Sequence, residues 1–192
     1  MIVLGIDPGS RYLGYGVISL ERSRQVHLAH GVIKADERAS LSQRLGEIFT
    51  QLSLVVAQHK PDAMAVEGVF THKNARSALI LGHARGVALL LAAQHQVPVF
   101  EYPPAKVKRS VGASGAGSKD AVARMVCRLL ELERDASRAD AYDALAVALC
   151  HAGSRRLAVL PTGPSQARPQ SFADRLKPGY RAPIPAPLRS AP

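Results

Sequence analysis

The stretch that most constrains this chain is its opening, MIVLGIDPGS. Ile2 to Ile6 form an apolar run too short for a solitary helix and rich in branched side chains, so they read as a buried strand. Pro8-Gly9 ends the run with turn chemistry. A buried strand thereby delivers Asp7 to the rim of a sheet. A lone carboxylate there is costly unless it is paired or holds a metal. Partners for Asp7 must therefore be sought at the same rim.

Three candidate strands come first. After the opening run, Tyr12–Leu20 has strand composition, Arg22-Ser23-Arg24 is a polar turn, and Val26–Ala35 partly alternates. Short turns between them predict an antiparallel meander. Ser40 then opens a helix with a Ser-x-x-Gln capping box to Gln43. Leu41, Leu45, Ile48, Phe49, Leu52, Val55 and Val56 give that helix one apolar face, and Lys60-Pro61-Asp62 stops it. Ala63 to Val66 is a second short apolar run, and Glu67 follows it at once. A helix between the meander and this run implies a crossover, so the new strand is expected parallel to the first. Asp7 and Glu67 then meet at the carboxyl edge of one sheet, where open α/β sheets place their sites.

Val69–Arg76 reads as a loop, and Ser77–Gln96 as a long helix. Gly82 and Gly86 lie one turn apart in it, suited to close approach within the monomer or to a second subunit. Val99–Tyr102 is a third parallel strand candidate, ended by Pro103-Pro104, and Val107-Lys108-Arg109 begins a basic stretch. Val111–Ser118 is rich in Gly, Ala and Ser, hence flexible, and does not match a phosphate loop. Ser118 is expected to cap a helix with Val122, Met125, Val126, Leu129 and Leu130 inward. Lys119 falls on its first turn, beside a helix N-terminus that attracts phosphate. The last helix is predicted to start at Ser137, in a Ser-x-x-Asp box with Asp140. Asp140 and Asp143 share one face. Val147 and His151 continue it, while Tyr142, Leu145 and Leu149 are expected to pack on the sheet.

The formal net charge is +10, of which residues 1–153 carry +4 and residues 154–192 carry +6. Eight of the 13 prolines lie after residue 153. The expected organisation is one α/β domain, 1–153, and a disordered Pro/Arg-rich basic tail, 154–192. Positive charge in both parts favours a polyanionic partner, nucleic acid. No apolar run has the length of a membrane span, and no leader is expected before the strand that starts at Ile2. Cys127 and Cys150 lack CxxC spacing and sit in apolar helical stretches, so buried free thiols in a reducing cytoplasm are expected, with no membrane partner.

Asp7, Glu67, Asp140 and Asp143 form a four-carboxylate set without His or Cys ligand spacing. Such a set selects a hard cation, Mg²⁺ or Mn²⁺. Two such ions about 4 Å apart can stabilise the attacking and leaving oxygens of phosphodiester hydrolysis. Phe70 is placed either to stack on an unpaired base or to plug the core. Lys73, Arg76, Lys108 and Lys119 are candidates to hold phosphates. His72 and His151 read as bystanders. The residues alone thus reach a metal-dependent phosphodiesterase acting on nucleic acid.

Four stretches together resemble the RuvC family of bacterial Holliday-junction resolvases: GIDPGSRYLGYGVI at 5–18, AVEGVFTHKNARSALILGHARGVALL at 65–90, VPVFEYPPAKVK at 97–108 and DAYDALAVALCHA at 140–152. The resemblance implies an RNase H-like fold, a mixed five-stranded sheet of antiparallel meander plus parallel strands flanked by helices. It implies a homodimer that nicks two opposed strands of a four-way DNA junction symmetrically, with divalent metal, leaving 5′-phosphate ends. It places the catalytic acids on Asp7, Glu67, Asp140 and Asp143, the junction-contacting aromatic on Phe70, and DNA-binding lysines on Lys108 and Lys119. It also suggests a branch-migration helicase complex as partner. The rival readings are an RNase H-type nuclease on RNA–DNA hybrid and a non-catalytic DNA-binding module whose acids are structural. An actin/Hsp70-like ATPase shares the Asp-x-Gly-Ser turn at Asp7–Ser10, but needs two copies of the fold to enclose a nucleotide.

Overall fold

The meander forms as the alternation demands. β1 (Ile2–Asp7), β2 (Tyr12–Glu21) and β3 (Arg24–Lys34) pair antiparallel in sequence order. The structure, a computed structural model, describes residues 1–22, 24–68, 75–112, 119–135 and 138–159. α1 (Leu41–His59) starts at the predicted capping box. The Gln43 N–H donates to Ser40 Oγ at 3.3 Å and the Ser40 N–H donates to Gln43 Oε1 at 3.0 Å. It ends at Lys60, which turns into the left-handed region with φ 45°. β4 (Ala63–Glu67) then lies parallel to β1, and β5 (Val99–Tyr102) parallel to β4, giving the sheet order β3-β2-β1-β4-β5.

Alternation along the strands sorts the core into two layers. Leu4, Ile6, Met64 and Val66 face α1 and α2 (Ala75–Gln94), meeting Ile48, Leu52, Val56, Ala88 and Leu91. Val3, Ile18 and Ala65 face the other layer, built from α4 (Lys119–Leu130) and α5 (Ala139–Val159). α2 is long and apolar enough by length and composition alone to cross a membrane. Here Ala84, Ala88, Leu91 and Ala92 are buried in the domain, and Arg85 pairs with Glu101 of β5 at 2.5 Å.

α5 is buried on nearly every side. From Ala141 to Ala152 only Asp143 is partly exposed. That differs from the two-stripe amphipathic helix expected from the sequence, because α4 and a short helix, α3 (Pro104–Ser110), cover the side away from the sheet. α3 was not expected; Pro104 at its first turn is the signal that marks it. α5 also runs to Val159, so the predicted boundary at 153/154 falls inside a helix. Cys127 and Cys150 are buried free thiols, as anticipated. The proposed Ser118 and Ser137 caps, the Gly-rich linker at 113–118 and the tail from 160 onward lie outside the described residues.

Glycine lets α5 lie directly on the strands. A Cβ on Gly5 would stand 2.1 Å from the Ala144 carbonyl oxygen, and one on Gly14 would stand 1.9 Å from the Asp140 carbonyl oxygen. Neither atom can retreat without moving the helix. Deeper in the same layer His151 is fully buried, and desolvation lowers its pKa from 6.5 to about 4.

Three stability outcomes follow from these environments. Gly5→Ala should lose about 3 kcal/mol in urea unfolding, at the upper end of overpacking costs. Gly46→Ala in α1, where an added Cβ meets nothing within 4 Å, should gain about 0.5–1 kcal/mol. The unfolded chain binds a proton at His151 that the folded chain refuses. That stability is complete above pH 6.5 and is lost as pH falls toward about 4. The loss amounts to roughly 3 kcal/mol. Urea midpoints at pH 7 and pH 4.5 should therefore differ strongly in the native chain and less in His151→Leu.

Candidate active site

Asp7 is the last residue of β1. Its cross-strand neighbour in β2 is Gly14, and Gly14 lies directly under the backbone of Asp140. The bare glycine therefore brings the first turn of α5 down beside the end of β1. Three residues on, one turn further along α5, Asp143 shares the helix face of Asp140. The outcome is a group of three partly exposed carboxylates, Asp7, Asp140 and Asp143, each with an oxygen within 4.8 Å of the others.

Tyr142, between the two helix acids, holds the turn in place. Its hydroxyl accepts from the Asp135 N–H at 2.8 Å and donates to the Glu133 carbonyl at 3.3 Å. Its ring stacks on His30 of β3 with centroids 5.6 Å apart. The sequence marked Tyr142 only as a sheet-packing residue; its role in tying the preceding loop to the helix needs the fold to be seen.

Glu67 ends β4, the strand parallel to β1. The last pair between these strands is Ile6↔Val66, so Asp7 and Glu67 are the next residues on each. Alternation puts both on the α5 side, because Ile6 and Val66 belong to the opposite layer. Glu67 thus stands beside Asp7 at the carboxyl edge, on the expected face. Its carboxylate is not one of the three that cluster within 4.8 Å.

The remaining candidates divide. Arg76 is exposed on the first turn of α2, and Lys108 is partly buried on the last turn of α3, which directly follows β5. Phe70, His72, Lys73 and the Lys119 side chain lie outside the described parts of the chain. His151 sits two turns beyond Asp143, bonded through Nδ1 to the Tyr102 hydroxyl at 2.8 Å and outside the acidic group.

Three carboxylates this close repel one another. A divalent cation offsets that cost. The donors are all oxygen, with no His or Cys among them, which fits a hard ion. Asp7, Asp140 and Asp143 are the residues that could hold such an ion.

The chain is similar to known proteins in sequence and in fold. The family model described as "Crossover junction endodeoxyribonuclease RuvC" matches residues 3–151. The crossover junction endodeoxyribonuclease RuvC of Myxococcus xanthus is 56% identical over 188 residues, covering 95% of this chain and 98% of the relative. That of Sorangium cellulosum is 47% identical over 175 residues, covering 88% and 97%. Among solved structures, the Thermus thermophilus RuvC in complex with Holliday junction substrate superposes with a TM-score of 0.74 at 34% identity, covering 82% of this chain and 96% of that one. With its RNase H-like mixed sheet and its acids at the carboxyl edge, the chain belongs to the RuvC family of crossover junction endodeoxyribonucleases.

Proposed function

We propose that this chain resolves four-way DNA junctions in recombination and repair by metal-dependent hydrolysis, nicking two opposed strands symmetrically. The observation that carries the reading is the approach of Asp7, Asp140 and Asp143 to within 4.8 Å at the carboxyl edge of a RuvC-family domain. Asp7, Asp140 and Asp143 would hold a hard divalent cation, Mg²⁺ or Mn²⁺, and Glu67 on the adjoining strand would complete the set for a second. The bound metal supplies positive charge that lets a polyanionic backbone enter an acidic pocket, and it makes water a better nucleophile.

The protein's own residues fix direction and access. β1 and α5 set the acids on a rigid floor, so the scissile phosphate is presented at one edge of the sheet. Lys108 on α3 and Arg76 on α2 flank that edge and are assigned to backbone phosphates, with Lys73 and Lys119. Phe70, in the loop after Glu67, is assigned to an unstacked base at the crossover. Water attacks phosphorus and the bond to the 3′ oxygen breaks, leaving a 5′-phosphate and a 3′-hydroxyl.

A two-fold symmetric junction calls for two such sites, and hence for an isologous homodimer. α2 is the face assigned to it. Leu79 and Leu90 are 65% and 56% exposed there, and nothing among the described residues lies within 4 Å of a Cβ added at Gly82 or Gly86. The enzyme is taken to work in the cytoplasm, beside a branch-migration helicase complex.

In a cleavage assay on a symmetric four-way junction, Asp143→Asn and Glu67→Gln should bind the junction and lose about a hundredfold or more of the Mg²⁺-dependent rate. Variants that cut normally would return the acids to a structural role. Preferential cutting of RNA–DNA hybrid by the wild type would favour the RNase H-type alternative. In sedimentation, Leu79→Glu combined with Leu90→Glu should shift the protein from dimer to monomer; an unchanged mass would remove α2 from the interface.

A further inference from the structure

Tyr102 closes β5 opposite Glu67, the last residue of β4. Its carbonyl accepts the N–H of Gly68, the residue that follows Glu67, at 2.9 Å. Its hydroxyl is bonded at 2.8 Å to His151 Nδ1 on α5. One tyrosine therefore joins the end of the strand that carries Glu67 to the helix that carries Asp140 and Asp143.

The histidine is an expensive way to fill this space. It is fully buried, lies against Phe100 with ring centroids 4.5 Å apart, and its Nε2 has no hydrogen-bond partner among the described residues. A buried nitrogen without a partner is left with its desolvation uncompensated. Leucine would fill much of the same volume without that cost. What leucine lacks is the directed bond to Tyr102. With Nδ1–H as the donor, Nε2 is left as a bare lone pair, the better tolerated of the two orphans. The imidazole stays neutral across the working range, since burial holds its pKa at about 4, so the link does not switch with pH.

We propose that the His151–Tyr102 pair is a positioning device that sets the distance of Glu67 from the Asp7–Asp140–Asp143 group. Glu67 lies outside the 4.8 Å trio, so its contribution depends on how firmly the end of β4 is held relative to α5. The pair supplies that hold without touching the metal or the DNA. This proposal rests on the metal-dependent reading of the site given above.

The test uses the full chain and Mn²⁺ alone. Mn²⁺ uptake is followed by electron paramagnetic resonance, junction affinity is measured in Ca²⁺, and folding is checked by thermal melts. Tyr102→Phe and His151→Leu should each weaken Mn²⁺ binding about fivefold and raise the Mg²⁺ needed for half-maximal cutting in step. Junction affinity should stay within about twofold. His151→Asn, whose amide can replace Nδ1–H, should recover most of the Mn²⁺ affinity. On a Glu67→Gln background, Tyr102→Phe should have no further effect on Mn²⁺ binding. If His151→Leu does not fold, Tyr102→Phe and its Glu67→Gln double variant carry the result. Unchanged Mn²⁺ affinity in Tyr102→Phe, or losses that add on the Glu67→Gln background, would overturn the positioning role. A wild type that takes up no Mn²⁺ would sink the metal reading, and this proposal with it.

Discussion

Everything at the carboxyl edge depends on how close α5 can come to the sheet. Helix and sheet ordinarily stand about a side chain apart. Here Gly5, Gly14 and Gly16 remove that spacer, and Ala144 and Ala148 remove it from the helix side. The backbone of Asp140 rests over Gly14, whose strand partner is Asp7. Two segments more than 130 residues apart in sequence thus bring their acids together by main-chain contact, not by the reach of long side chains. Sub-ångström placement of the kind metal chemistry needs is better served by such contact.

The same closeness creates the electrostatic problem that defines the site. Like charges gathered at a strand end and a helix start are tolerated when a cation is the intended occupant. The helix N-terminus favours negative charge in its first turn, which eases the presence of Asp140. Neighbouring parts of the fold then act as braces. Tyr142 ties the loop before α5 to its first turn, and the two residues it bonds, Glu133 and Asp135, fix where that turn begins. The candidate acids thereby lie where rigid elements end, while Arg76 opens α2 and Lys108 stands in the last turn of α3.

Much of this was legible in the sequence because it rests on local rules. The strand–acid–loop pattern at Asp7 and its repeat at Glu67 follow from burial and turn chemistry, and the crossover between them requires parallel pairing. The Ser40 capping box and the helix stop at Lys60-Pro61-Asp62 are likewise local. What was not legible depends on contacts between distant elements. The sequence predicts two stripes on α5, only one of them packing on the sheet; the cover of α3 and α4 explains why Val147 and His151, on the other stripe, are buried as well. Gly14 looked like part of a strand, since nothing local shows which backbone will cross it. The tightness of the trio compared with Glu67 is a matter of one strand spacing, which no spacing in the sequence encodes. That His151 would be bonded to Tyr102 was equally invisible, because 49 residues separate them.

The central claim is spatial: Asp7 and the first turn of α5 form one cation site, with Glu67 at its border. Anomalous diffraction from a crystal of this protein soaked in Mn²⁺ tests it directly. The account predicts a Mn²⁺ peak within ligand distance of Asp7 and at least one of Asp140 and Asp143. Mn²⁺ bound elsewhere on the molecule, with these three carboxylates bare, would contradict it.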